Sequence, residues 1–157
     1  MRRWRRGLVA LAVAIAAIAA ASSASAAKPD RELIEFEDQV LTGLCPFPVL
    51  AEFVATKEYV TFFEDGRIRV TGKLFVRLTN LDDPENTMLL NISGPAIISP
   101  EQERYAGRGL FLLFPEDVSG PGILLTTGRV DVVRGEDGFV TDFTVKGTTV
   151  DVCAALA

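Results

Sequence analysis

Three aspartates, Asp131, Asp142 and Asp151, are embedded among β-branched and aromatic residues, the setting of a β-strand, where Asp is disfavoured. Held in that way, carboxylates can form a raised-pKa pair for acid–base work on a glycoside or similar substrate, or a weak calcium site. They can equally face water with Arg129 or Lys146 alongside, adding solubility or protecting a sheet edge. The second reading is preferred, because a chain of 157 residues leaves little cleft around such a pair. Most other nucleophile and metal chemistry is excluded by residue type. The chain has no His, so it can run neither a Ser-His-Asp nor a Cys-His nucleophile and offers no imidazole to zinc, copper or haem. Ser93, Ser99 and Ser119 lie in neither S-x-x-K nor G-x-S-x-G patterns, which removes the serine hydrolases. Asp82-Asp83-Pro84-Glu85-Asn86 lacks the spacing of a calcium loop, so no metal and no other cofactor is expected.

The N-terminus reads as a secretory signal peptide over residues 1–26. Met1 to Arg6 carries four arginines, Leu8 to Ala21 is an unbroken apolar run, and Ala24-Ser25-Ala26 is an A-x-A cleavage site. The apolar run is shorter than the ~20 residues that span a bilayer, so no stable membrane anchor is expected after cleavage near Ala26. Removing the leader takes away the only Trp and four arginines, leaving 12 basic against 21 acidic residues and a formal charge of −9. Such a surface repels nucleic acid and anionic lipid, and no basic cluster is seen to offset it. In an exported chain the two cysteines, Cys45 and Cys153, are most simply one disulfide. A redox-active or nucleophilic cysteine has no support, since there is no C-x-x-C and no His.

The elements that must position these groups are short. Residues 27–31 form a small polar lead-in expected to be flexible, and residues 32–157 make up one β domain. Apolar, β-branched segments recur there between Gly, Pro, Asn and Asp punctuation, without any long 3.6-periodic stretch. That pattern predicts an all-β, antiparallel sandwich or barrel closed by one disulfide. Candidate strands are 33–39, 49–55, 58–64, 67–71, 73–80, 87–93, 96–99, 109–114, 123–127, 129–134, 139–146 and 148–153, some of which are expected to merge. Ala154 to Ala157 alone invites a helical turn.

Two hairpins can be placed in register. Glu64-Asp65-Gly66-Arg67 predicts a two-residue type I′ turn, pairing Phe63 with Ile68 and Thr61 with Val70. Around Gly135-Glu136-Asp137-Gly138, bringing Val130 and Val132 to one face with Phe143 and Val145 calls for a loop of two or four residues. With four, Asp131 falls opposite Asp142. The longest stretch without strand character, Pro100 to Arg108, is read as a polar loop, and its Glu103, Arg104, Tyr105 and Arg108 are the binding-loop candidates.

The segments Thr42-Gly43-Leu44-Cys45-Pro46-Phe47-Pro48-Val49, Thr79-Asn80-Leu81, Asn91-Ile92-Ser93-Gly94-Pro95, Gly109 to Pro115 and Val150 to Leu156 together resemble a group of small exported proteins of high-GC actinobacteria. The similarity covers most of the chain after the leader. It implies export and two paired cysteines, and it transfers no activity and no binding residue.

Three functions from different classes follow. The preferred one is an exported, cofactor-free β-scaffold that binds an extracellular or cell-envelope protein, lipid or polymer. The second is a carboxylate-dependent hydrolase or lyase using Asp131, Asp142 or Asp151. The third is a secreted protease inhibitor, weakened by the lack of a second disulfide to brace an inhibitory loop.

Overall fold

The computed structural model describes residues 30–157; the leader at 1–26 and residues 27–29 of the lead-in lie outside them. Nine strands follow one another: β1 (Arg31–Ile34), β2 (Gln39–Leu41), β3 (Val49–Phe62), β4 (Ile68–Asn80), β5 (Thr87–Asn91), β6 (Ala96–Ile98), β7 (Glu103–Leu113), β8 (Gly122–Arg134) and β9 (Val140–Asp151), with a helical turn α1 (Val152–Ala155) at the end. They form one antiparallel sheet in the order β1-β3-β4-β6-β7-β8-β9, with β2 beside the start of β3 and β5 beside the end of β4. β1 and β9 end the sheet without pairing, so it is not closed into a barrel. The lead-in stops earlier than its composition suggests: Arg31 belongs to β1, and Asp30 accepts a backbone hydrogen bond from Phe62.

Several strands predicted as separate are continuous, and the reason is glycine. Gly72, Gly128 and Gly147 read as punctuation in sequence but sit inside β4, β8 and β9. Gly107, Gly128 and Gly147 face one another directly across three strands. A β-carbon on Gly128 would run into the carbonyl of Lys146, and one on Gly147 into that of Thr127. The ladders persist here because no side chain stands in the way. The row acts as a crease. Tyr105 and Phe111 are six residues apart on β7, which in a straight strand is roughly 20 Å, yet their ring centroids lie 4.9 Å apart. Folding along the crease gathers Leu113, Val130, Val132 and Val140 into one buried cluster, edged by Tyr105, Phe111 and Phe143.

Both Glu-Asp-Gly turns are three-residue loops, which corrects the predicted two-residue turn at 65–66. Phe63 N donates to Arg67 O, and Gly135 N donates to Phe139 O, while Gly66 and Gly138 take the left-handed φ of 80° and 86° that closes such a loop. The first hairpin therefore pairs Phe62 with Ile68 and Val60 with Val70, one residue away from the expected register. In the second, a register shift between Val133 and Arg134 compensates for the odd loop and still sets Val130 beside Val145 and Val132 beside Phe143.

A second core lies where the two ends of the sheet stack. Val49, Ala51, Val76, Leu78 and Leu90 from β3, β4 and β5 pack against Ile123 and Leu125 of β8, closed by Leu44, Val152 and Leu156. Full burial of one Leu side chain contributes about 2 to 3 kcal/mol, and Leu78, Ile123 and Leu156 are all fully buried. The Cys45–Cys153 disulfide, with its Cα atoms 5.3 Å apart, ties α1 to the segment before β3. It indicates an oxidising, extracytoplasmic environment. No helix among the described residues is long and apolar enough to cross a membrane.

Candidate binding face

The three strand aspartates are separate in structure and differently engaged. Asp131 is clamped by two guanidiniums: Arg129 donates to it at 2.8 and 3.0 Å, and Arg104 donates from the neighbouring strand at 3.0 Å. The Arg129 hydrogen bonds, followed by those of Arg104, hold its carboxyl below the ordinary aspartate value. Asp142 stands opposite Val133, and Thr144, not Asp142, faces Asp131. The register shift that rescues the apolar face moves the carboxylates off the expected opposition. Asp142 is exposed and accepts from the Thr144 hydroxyl at 3.2 Å. Asp151 caps α1, accepting from Ala154 N at 3.1 Å.

The stretch containing Glu103, Arg104, Tyr105 and Arg108 is not a loop; all four lie in β7. Pairing on both sides, to β6 and to β8, overrides the weak strand propensity of the sequence. Alternation then sends these residues to opposite faces. Glu103 and Tyr105 join the row of Val130 and Val132. There Tyr105 donates its hydroxyl to Glu103 at 2.7 Å and Arg134 donates to the same carboxylate at 2.7 Å. Burial, then the Glu103 charge, pushes the Tyr105 hydroxyl well above its ordinary pKa. Burial works against the Arg134 charge, and Glu103 more than offsets it, leaving the guanidinium above its usual value.

Arg104 and Arg108 occupy the other face, and they are not alone on it. Cross-strand partners project from the same side of a sheet, so the register defines the set. One row runs Thr61, Arg69, Ile97, Arg104, Asp131 and Thr144. The next holds Tyr59 with Thr71, and Ala106 with Arg129 and Lys146. A third holds Lys57 with Lys73, and Arg108 with Thr127 and Thr148. Arg31 joins opposite Thr61, its guanidinium 3.9 Å from the centre of the Tyr59 ring. Arg31, Lys57, Arg69, Lys73, Arg104, Arg108, Arg129 and Lys146 thus share one face. The remaining described Lys and Arg residues, Arg67, Arg77 and Arg134, are each engaged with an acid: Asp65, Glu52 and Glu103.

This overturns the expectation that no basic cluster offsets the acidic chain. Sequence reasoning missed it because no two of the eight are adjacent. The signal is alternation, visible in Arg69-x-Thr71-x-Lys73 and Arg104-x-Ala106-x-Arg108, and it needs the register to assemble. A groove of about 480 Å³ lies beside the disulfide, lined by Phe47, Leu113, Pro121, Leu124 and Cys153 among others. Among the described residues no three Asp, Glu or Cys side chains come together as a metal site. Comparison with protein-family models, with curated proteins and with solved structures finds no match.

Proposed function

We propose that the protein is an exported, cofactor-free binding module of the cell envelope or extracellular space, and that the open basic face is its working surface. The observation that carries this reading is the segregation of charge: a chain of strongly acidic composition keeps eight of its cations on one side of one sheet. Signal-peptide cleavage near Ala26, general secretion and kinship with the actinobacterial exported proteins belong to the same proposal, and the disulfide supports them. The hydrolase reading loses ground because Asp131 is occupied by two arginines and Asp151 by a helix N-terminus.

A thermal-shift panel of envelope polymers, lipids, glycans, metals and secreted proteases tests the proposal. A ligand present at about 100 times its Kd stabilises the folded form by about 2.7 kcal/mol, which is readily read as a rise in Tm. The proposal fails if no member of the panel shifts Tm while a hydrolytic activity is found that Asp131→Asn and Asp142→Asn each abolish without altering Tm.

A further inference from the structure

Resting on that reading, we infer that the basic face takes a linear anionic polymer, one whose phosphodiester or carboxylate groups are spaced along an uncharged polyol or sugar chain. Lys57 stands directly opposite Lys73, and Arg129 directly opposite Lys146. Like charges facing each other across a ladder destabilise a sheet; Arg129 is held by Asp131 and Lys73 lies 5.1 Å from the centre of the Phe75 ring, which leaves Lys57 and Lys146 as the unmatched members of the two pairs. Among the described residues, Arg31, Lys57, Arg69, Lys73, Arg108 and Lys146 form no ion pair, and all six are exposed. Arg31 and Lys73 lie over the Tyr59 and Phe75 rings, but none of the six has a carboxylate partner, and cations arranged this way are open to anions brought from outside.

The layout favours a chain over a plane. From β3 to β9 the face crosses six paired strands, roughly 24 Å at the usual interstrand spacing. Thr61, Thr71, Thr127, Thr144 and Thr148 are interleaved with the cations and supply hydroxyls for an alcohol-rich backbone. At one end the three hairpin tips carry Glu64, Asp65, Glu101, Glu136 and Asp137. An anionic membrane wide enough to cover the cations would also meet this acidic rim, whereas a polymer strand running across the ladders avoids it. The same face also carries the exposed Asp142, opposite Val133 on the rim side of the Arg104–Asp131 row, whereas the rows of Lys57, Lys73, Arg108, Arg129 and Lys146 contain no carboxylate. The local cations, not the net charge, therefore govern a ligand lying on the face.

The test measures binding of the disulfide-bonded protein to poly(glycerol phosphate), polygalacturonate and neutral dextran across a salt series. It is run beside vesicles of phosphatidylcholine with phosphatidylglycerol and a single-stranded oligonucleotide. The inference expects both anionic polymers to bind, dextran to stay silent, and log Kd to rise linearly with log salt. Replacing Arg69, Arg108 and Lys146 together by Gln weakens polymer binding about 10- to 100-fold and lowers the salt slope, with Tm maintained. If the triple variant does not fold, Arg69→Gln and Arg108→Gln singly must each reduce the slope. The inference is overturned by polymers that do not bind, by variants that bind as well as the parent, or by tighter binding to the vesicles or the oligonucleotide. Binding confined to dextran or to a protein from the wider panel overturns it too, while leaving the binding-module reading intact.

Discussion

Gly147 and Thr127 meet so closely across the β8–β9 ladder that a β-carbon on Gly147 would overlap the Thr127 carbonyl oxygen. The obstacle is the β8 backbone, with the Thr127 carbonyl carbon and Gly128 Cα as the next neighbours, so no side-chain rotation relieves it. Gly147→Ala is expected to destabilise by about 1 to 3 kcal/mol, the range of overpacked interiors. Gly122→Ala, in the same sheet with nothing within 4 Å of the added carbon, serves as the comparison and is expected to be near neutral. Urea midpoints for the two variants decide it; equal midpoints would remove the crease as a steric requirement.

A second prediction concerns the chain end. Asn80 is buried, donates to Leu156 O at 2.9 Å, and accepts from Asp82 N at 2.9 Å and Asp83 N at 3.3 Å. One side chain thus fixes the turn after β4 and the Leu156 carbonyl together. Asn80→Ala strands a fully buried residue's carbonyl, at about 2 to 3 kcal/mol. Asn80→Asp keeps the acceptor but loses the donor, and is expected to be no better than Ala. Hydrogen exchange of Leu156 should accelerate in both variants and that of Asp82 in Asn80→Ala; unchanged protection would refute the linkage.

The strand-rich class, the disulfide and a helical turn near the end are legible in the sequence because each rests on local composition or on residue count, although the turn spans Val152–Ala155 and not 154–157. The register is not. Glu64-Asp65-Gly66 and Glu136-Asp137-Gly138 announce turns, but loop length is settled by which residues the flanking strands bury, and Val60 wins over Thr61 for the side facing Val70. One residue of slip moves every side chain to the other face, as in the first hairpin, whereas in the second the three-residue loop and the shift at Val133 add up to two residues, which leaves Asp131 and Asp142 on one face but no longer opposite. The basic face is hidden for the same reason, since its members lie on β1, β3, β4, β7, β8 and β9. Gly72, Gly128 and Gly147 mislead differently: the property that makes glycine a turn residue also lets two ladders close tightly.

Glu58 supplies a pH dependence. It is buried on β3 opposite Gly72, and burial raises its carboxyl to about 6 from 4.5. The folded state therefore binds the proton more tightly than the unfolded state. The Glu58 contribution to stability is greatest below pH 4.5, falls as pH rises through 6, and carries the whole penalty above that. Allowing for solvent screening of the carboxylate, Glu58→Gln should gain on the order of 1 kcal/mol at neutral pH and nothing near pH 4. Denaturation curves for parent and variant at several pH values should converge on the acid side; parallel curves would show that Glu58 is not the titrating group.

Lys146 separates stability from binding. It faces Arg129 across β8–β9, and Arg129 already donates to Asp131, so Lys146→Glu converts a repulsive cross-strand pair into an attractive one. A gain of about 0.2 to 1 kcal/mol is expected at low salt, shrinking as salt screens the exposed charges. A face kept only for solubility has no reason to retain the less stable arrangement, and on that view the reversal improves Tm without further effect. On the binding view the same substitution raises Tm and weakens poly(glycerol phosphate) binding at once, because the charge that destabilises the sheet is one the polymer needs. Measuring both quantities on one variant distinguishes the two: a higher Tm with unchanged polymer affinity leaves the cations as a solvated surface, and opposite movements assign them to the ligand.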